Sequence, residues 1–400
     1  MYLEIPKKLR PFVEQAHLVG EQVFRPISRK YDAKEHEYPV ELDMLAAVVD
    51  GMNQSGSADG AGASKLKREK SGEGVRNGAN MSTALGLTEL CWGDCGLALT
   101  IPRQGLGNAA ITAVANEEQL ARFNRRWAAM AITEPNAGSD SASIRTTARL
   151  DGDQYVLNGE KIFVTSGSRA DLIVVWATLD PSLGRAAIKS FVVEAGTPGM
   201  EVARLEHKLG IKASDTATIL LTDCRIPKEN LLGDPEIRTG AGFAGVMQTF
   251  DNTRPLVAAM AVGVARAALE RTRELLAEAG DQADFSRSPL RSTAAEAEIY
   301  RMEAELEAAR LLTLRAAWMA DNGIPNSKEA SIAKAKAGRV GNAITLRCLQ
   351  LAGSLGSTET ELLEKWARDS KILDIFEGTQ QIQLLIIARR LLGKSSSELK

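Results

Sequence analysis

Hydrophobic periodicity changes twice along this chain, and that change constrains its fold more than any other feature of the sequence. Residues 8–130 read mostly as helices: Arg10 to Val23 is amphipathic, Val40 to Val49 forms a second helix and Asn80 to Cys91 a third. Residues 131–235 switch to short β-rich runs bounded by Gly, Asn, Asp or Pro, namely 155–157, 161–165, 172–177, 190–193 and 218–221. Asn158-Gly159 falls between the first two runs and predicts a hairpin turn, because both residue types tolerate positive φ. From about residue 240 the helical period returns, with Ile299, Met302, Leu306, Ala309 and Leu312 on one apolar face. The order predicts an α+β protein: an N-terminal helical domain over 1–130, a β-domain over 131–238 and a helical region over 239–400.

Composition narrows the function classes. The chain has 400 residues, a formal charge of −2, 44% hydrophobic and 25% charged residues, which is ordinary for a folded soluble protein. So balanced a charge supplies no long-range field for nucleic acid or an anionic membrane. No run approaches the roughly 18 apolar residues a membrane span needs, and the N-terminus lacks an apolar signal core. The expectation is a cytoplasmic protein whose four cysteines, Cys91, Cys95, Cys224 and Cys348, are reduced thiols. Three histidines without Cys/His ligand spacing predict no metal, and none stands near the Gly-x-Ser-x-Gly elbow of a hydrolase.

Residues 53–80 hold only two branched aliphatics, Leu66 and Val75, and predict a mobile loop that buries too little apolar surface to offset ordering entropy. Its glycines do not fit a phosphate-binding loop. Gly105-Leu-Gly107-Asn-Ala-Ala110 matches a dinucleotide fingerprint in letters but follows no strand, so it reads as close helix packing.

Two segments carry more chemistry. Thr133-Glu-Pro-Asn-Ala-Gly-Ser-Asp140 concentrates turn formers and hydroxyls where the helical region meets the β region. Its backbone N–H groups around Gly138 and Ser139 suit a polar or anionic ligand, or the segment is a domain-linking turn. Glu377 follows Ile372, Leu373, Ile375 and Phe376, just before a helix opening near Thr379. Local sequence leaves two roles for it: an acid favoured by the helix dipole, or a partly desolvated base whose pKa is raised.

Five stretches in order, 131–140, 157–167, 208–216, 249–255 and 368–379, resemble the acyl-CoA dehydrogenases, and the likeness covers nearly the whole chain. The resemblance implies that family's fold: an N-terminal helical domain, a middle β-domain and a C-terminal four-helix bundle. It implies FAD as cofactor and an acyl-CoA thioester as substrate. A glutamate would remove the α-proton while the β-hydrogen leaves as hydride to flavin N5, giving a trans-2-enoyl-CoA. In the largest branch that base lies in a Tyr-Glu-Gly-Thr motif, which here is Phe376-Glu377-Gly378-Thr379. The other branch places the base at the position of Thr253, before Arg254, so Glu377 is the catalytic candidate. Its backbone N–H and a flavin ribityl hydroxyl would hold the thioester oxygen.

Carried over residue by residue, Met130, Ile132, Thr133, Phe163, Val164 and Thr165 line the flavin, with the Thr165 hydroxyl near N5. Phe163 stands where the family usually has Trp. Gly138, Gly378, Thr379 and Gln380 also bind FAD, and Ser139 contacts flavin or substrate. Asp251, Arg254, Glu377 and Gly378 contact substrate, with a structural ion pair as the other role for Arg254.

The resemblance fails where one subunit lends residues to its neighbour's FAD. The family's Arg-x-x-Phe-Gly reads Gln282-Ala-Asp-Phe285-Ser286, and the Gln expected eight residues past Phe285 is Thr293. The Gln-x-x-Gly-Gly stretch reads Gln350-Leu-Ala-Gly353-Ser354. Phe285, Gln350 and Gly353 remain as FAD-binding candidates, and Arg287 or Arg291 could replace the lost arginine. Two assemblies follow: a homotetramer, or a heterotetramer with a homologous subunit that keeps the arginine. Electron-transferring flavoprotein is the implied acceptor. A family-related oxidase and a subunit with little activity alone are the alternatives, and the retained Glu377 argues against a monooxygenase. Acyl chain length is not legible.

Overall fold

The computed structural model describes residues 5–52, 78–102, 106–123, 126–237, 244–281, 283–284, 286, 288–395 and 398, with the side chains of 47–52, 244–252 and 289 outside that description. Helices α1 (Arg10–Val19) and α2 (Arg25–Ala33) are joined by a π-helical turn, Gly20–Phe24, and α3 (Glu41–Met52) follows. The amphipathic pattern seen from Arg10 therefore runs ten residues past Val23. Helices α4 (Ala79–Gly93), α5 (Cys95–Ala98), α6 (Leu106–Val114) and α7 (Glu117–Phe123) complete the N-terminal region. Most of residues 53–80 lie outside the described residues, but Gly78 and Asn80 do not behave as loop. The Asp321 carboxylate accepts from the N–H groups of Gly78, Asn80 and Met81 at 2.9–3.0 Å and satisfies the donors that open α4.

Seven strands follow: β1 (Ala128–Ala131), β2 (Thr147–Asp151), β3 (Gln154–Thr165), β4 (Leu172–Thr178), β5 (Ile188–Glu194), β6 (Met200–Leu205) and β7 (Thr216–Pro227). They form one sheet in the order β1-β4-β2-β3-β7-β6, with β5 also paired to β4. β4, Leu-Ile-Val-Val-Trp-Ala-Thr, is buried along its whole length, as its unbroken apolar run requires.

The expected hairpin at Asn158-Gly159 is not there. Residues 154–165 form one strand, and the hairpin lies earlier, where β2 pairs with β3 across Gly152 at φ 66°. Asn158-Gly159 is instead a register shift in the β3–β7 ladder. Gly159 has φ 154°, and a Cβ there would lie 2.8 Å from Thr146 Cα. The glycine serves a close crossing rather than a chain reversal. Gly107 plays a similar part: a Cβ would come within 2.5 Å of the Ala128 carbonyl oxygen, so α6 rests directly on β1. That is the helix packing expected of the Gly105–Ala110 stretch.

The C-terminal region comprises α8 (Ala244–Glu278), α9 (Ala294–Asp321), α10 (Ser327–Leu351), α11 (Leu363–Ser370) and α12 (Gln380–Leu392). On α9, Ile299, Met302, Leu306 and Ala309 are buried and Leu312 packs against the same core. That core is shared: Phe24, Tyr31 and Leu97 from the N-terminal helices pack with Ala265, Val340 and Trp366 from the C-terminal ones, and Ile211 and Ala213 enter from the β-domain. All four cysteines are free and buried. No helix among the described residues is long and apolar enough to cross a membrane.

Candidate active site

Glu377 lies in the link between α11 and α12, after a short 3-10 turn at Lys371–Asp374. Its φ is 56° and that of Gly378 is 95°. Left-handed backbone at a residue with a side chain is costly, on the order of 1–3 kcal/mol, and persists only when its surroundings enforce it. Here the surroundings are two buried side chains. Gln383 Nε2 donates to the carbonyls of Glu377 (3.2 Å) and Gly378 (3.0 Å), and Lys334 Nζ donates to the Gly378 carbonyl at 2.7 Å. A Cβ at Gly378 would lie 2.5 Å from Gln383 Nε2. Thr379 then caps α12, its hydroxyl accepting from Ile382 N–H. Gln380 opens the helix beside Asp374 and Ala335.

The carboxylate of Glu377 meets α8. Thr253 Oγ1 donates to Glu377 Oε2 at 2.8 Å, and Thr253 and Arg254 are both buried. Burial drives the Glu377 pKa above the ordinary glutamate value, while the Thr253 hydrogen bond and the positive charges of Arg254 and Lys334 pull it down without reversing the shift. Burial also lowers Lys334 to about 8, against the attraction of Asp374 and Glu377.

The β-domain supplies a second surface. Met130, on β1, and Ile132 and Thr133, just beyond it, are partly buried, and Gly138 and Ser139 are exposed at the tip of the next turn. That turn is anchored from beneath by a buried network. Glu134 accepts from Thr146 N–H (2.9 Å), Thr146 Oγ1 (2.6 Å), Arg145 N–H (2.6 Å) and Lys161 Nζ (2.7 Å). Lys161 Nζ also donates to the Ile132 carbonyl at 3.1 Å, and burial lowers its pKa to about 8. Ile162 N–H donates to the Thr133 carbonyl, which lays residues 130–133 beside the end of β3.

There the β3–β7 register shifts again, between Lys161 and Val164, and Phe163 at φ 58° swings outward with 61% of its surface exposed. Thr165 is half-buried on the same stretch. The Val164 side chain instead points into the β-domain core, fully buried, so only its backbone remains for a ligand. An exposed aromatic ring, apolar Met130 and Ile132, and hydroxyls at Thr133, Ser139 and Thr165 suit a planar heteroaromatic group with polar edges. The residues present fit a flavin.

Segment 208–215 couples the two surfaces. Ser166 N–H donates to the Asp215 carbonyl and Ser168 Oγ to its carboxylate at 2.7 Å. A few residues earlier, Ile211 N–H donates to Asp369 Oδ1 on α11 at 2.5 Å. Asp369 and Asp94 share the buried Lys365 ammonium at 2.5 and 2.7 Å, and Ser28 donates to Asp94. One buried network thus joins N-terminal helices, β-domain and C-terminal helices just upstream of Glu377.

The other expected residues fall elsewhere. The Asp251 side chain, Gln282, Phe285 and Arg287 lie outside the described residues. Thr293 is committed to a helix cap: its Oγ1 accepts from Glu296 N–H while Glu296 accepts from Thr293 N–H. Gln350 is exposed, accepts from Arg347 and sits sixteen residues beyond Lys334 on α10, about 24 Å along the axis at 1.5 Å per residue. Gly353 follows at φ 58°. Neither belongs to the surface around Glu377 of the same chain. Sequence reasoning passed over Lys334 and Gln383, and it took Thr253 only as the place of an absent base. One signal was available for Lys334: it shares a helix face with Ala330, Ala337 and Gly341, where a lone lysine needs a buried partner.

Comparison with known proteins agrees with this architecture. Residues 129–224 match the acyl-CoA dehydrogenase middle domain and residues 240–392 the acyl-CoA dehydrogenase C-terminal domain. A mitochondrial short-chain specific acyl-CoA dehydrogenase of Bos taurus is 34% identical over 98% of this chain and 91% of its own length. The butyryl-CoA dehydrogenase of Megasphaera elsdenii superposes with a TM-score of 0.83 at 31% identity, covering 98% of this chain and all of that one. A chain from a structure described as the electron transferring flavoprotein of Acidaminococcus fermentans matches equally well, with TM-score 0.83 and 31% identity over 98% of this chain and all of that one. The chain belongs to the acyl-CoA dehydrogenase family, FAD-dependent oxidoreductases that act on a CH–CH bond.

Proposed function

We propose that this protein dehydrogenates a short-chain acyl-CoA thioester to the trans-2-enoyl-CoA, with Glu377 as the base. The observation that carries the proposal is the Glu377 carboxylate: desolvated, raised in pKa and held by Thr253, on a backbone that Gln383 and Lys334 fix in a left-handed conformation. A general base works best with its pKa close to the working pH, and burial moves Glu377 upward from the ordinary carboxylate value. Glu377 takes the α-proton onto its carboxylate, and the bond pair left behind becomes the new C=C as the β-hydrogen departs with its electrons. FAD, when bound, supplies the two-electron acceptor for that hydrogen.

Chain residues do the rest. The Glu377 N–H is the proposed donor to the thioester oxygen, stabilising enolate-like charge at the α-carbon. Arg254 and Lys334 keep positive charge near Glu377 and favour its ionised form. Met130, Ile132, Thr133, Gly138, Phe163 and Thr165 form the cofactor wall, with Ser139 at its rim. The names of the Bos taurus and Megasphaera elsdenii relatives support a short acyl chain, and the Acidaminococcus match supports electron-transferring flavoprotein as the acceptor.

One observation favours a further reading of the assembly. Gln350 lies about 24 Å along α10 from Lys334, Gly353 follows beyond the helix end, and Thr293 is spent on a cap, so any FAD contact from this end of the molecule goes to a neighbouring subunit. A homotetramer and a heterotetramer with a homologous partner both satisfy that geometry. Assaying enoyl-CoA formation from butyryl-CoA with an artificial electron acceptor tests the activity, with Glu377→Gln as control. Enoyl-CoA from the wild type alone is expected, and equal product from both would refute the assignment of the base.

A further inference from the structure

We infer that Glu35, His36 and His207 form a binding site for a divalent transition-metal ion of the Zn2+ class, at the seam between the N-terminal helices and the β-domain. Glu35 and His36 follow α2, and His207 follows β6. Ligand spacing is invisible in the sequence because Glu35 and His207 are 172 positions apart; the fold brings them together. His207 Nδ1 lies 2.9 Å from Glu35 Oε2, and the His36 and His207 ring centroids are 4.9 Å apart. One donor atom from each of the three residues falls within 4.8 Å of the others.

His36 is the independent observation. Both its ring nitrogens are buried and neither has a hydrogen-bond partner. Orphaned buried polar atoms are rare in folded proteins and call for an explanation, and an imidazole with two is rarer still. Its backbone is also left-handed, at φ 73°, which commits the ring to this corner.

Two imidazoles and a carboxylate are a donor set that suits Zn2+, with water completing a tetrahedron. Bonds of about 2.0–2.1 Å place tetrahedral ligands about 3.4 Å apart. The side chain of His207 is 82% exposed, with its Nδ1 already beside Glu35 Oε2. Glu35 is held from its other side: its Oε1 accepts from Lys208 N–H at 2.8 Å, so Oε2 is the atom turned to His207. The Lys208 ammonium stands 3.9 Å from Oε1 and donates to the Ser214 carbonyl. A bound ion would pin the segment after α2 to the segment after β6.

The test uses the full-length protein, stripped with a chelator and titrated with Zn2+ and separately with Co2+. One equivalent is expected to bind, with the visible bands of tetrahedral Co2+ appearing in the difference spectrum and the melting temperature rising. His207→Ala and His36→Asn should each weaken binding by at least about tenfold and abolish the cobalt bands. Asparagine keeps the left-handed backbone accessible, and the exposed His207 can be removed without disturbing the core. His17→Ala should change nothing, because His17 pairs with Glu89 elsewhere. Equal binding by wild type and His207→Ala, or loss of the ion in His17→Ala alone, would overturn the site.

Discussion

The hydroxyl of Thr253 donates a hydrogen bond of 2.8 Å to the carboxylate of Glu377 across 124 positions of the chain. The contact links α8 to the turn before α12. Hydrogen bonds to a charged group contribute roughly 1.5–3 kcal/mol. In Thr253→Val the bond that favours ionised Glu377 is lost while burial remains, so the pKa rises further. The base works only when ionised. The acid limb of kcat/KM should therefore move to higher pH and activity near neutrality should fall, read from a pH–rate profile. An unmoved limb would separate Thr253 from the chemistry.

Glu377→Gln should lower turnover by about 10²- to 10⁴-fold, the usual contribution of general-base catalysis. It should also raise stability at neutral pH. The folded pKa lies above the unfolded value, so the native state holds its proton more tightly than the unfolded chain does. Wild-type stability then declines as pH rises from the unfolded pKa through the folded one. Glutamine removes that decline. Thermal melts of both proteins across this window should diverge as pH rises and coincide at its acid end.

Lys161→Met tests the anchor under the cofactor wall. It leaves the Glu134 carboxylate buried without its ammonium, and breaking one side of a buried pair costs about 3–5 kcal/mol. Urea denaturation should show a loss of that order. Thr133 and Met130 should loosen with it, which weaker FAD retention would reveal.

The layout of helices, sheet and helices was legible because hydrophobic period is a local property, whereas Glu377 stood out only through the resemblance of its Phe-Glu-Gly-Thr motif, since local sequence favours a helix-dipole acid there. What escaped was non-local. Asn158-Gly159 carries the letters of a turn, but the geometry there answers to Thr146 and to β7, whose Leu221 pairs with Gly159. β6 was missed because an edge strand carrying Glu201 and Arg204 is mostly exposed and shows no apolar alternation. β1, Ala-Ala-Met-Ala, offers no β-branched side chain to betray it. The partners of Glu377 come from helices far away in sequence: Thr253 from α8 and Lys334 from α10.

Gly159→Ala follows from that geometry. A Cβ would press on the Thr146 backbone and hydroxyl, and overpacking of this kind costs about 1–3 kcal/mol. Thr146 is also a donor to Glu134, so the substitution should disturb the 133–140 turn as well as stability. Amide exchange in that turn should quicken. Wild-type exchange there would place the bulge outside the site's support.

The central claim is that Glu377 starts the chemistry on an acyl-CoA thioester. Anaerobic mixing of the FAD-loaded protein with butyryl-CoA, followed by flavin absorbance in a single turnover, tests it most directly. The account predicts rapid bleaching for the wild type and essentially none for Glu377→Gln at equal flavin content. Bleaching at the same rate in both, or none in a wild type that retains its flavin, would contradict it.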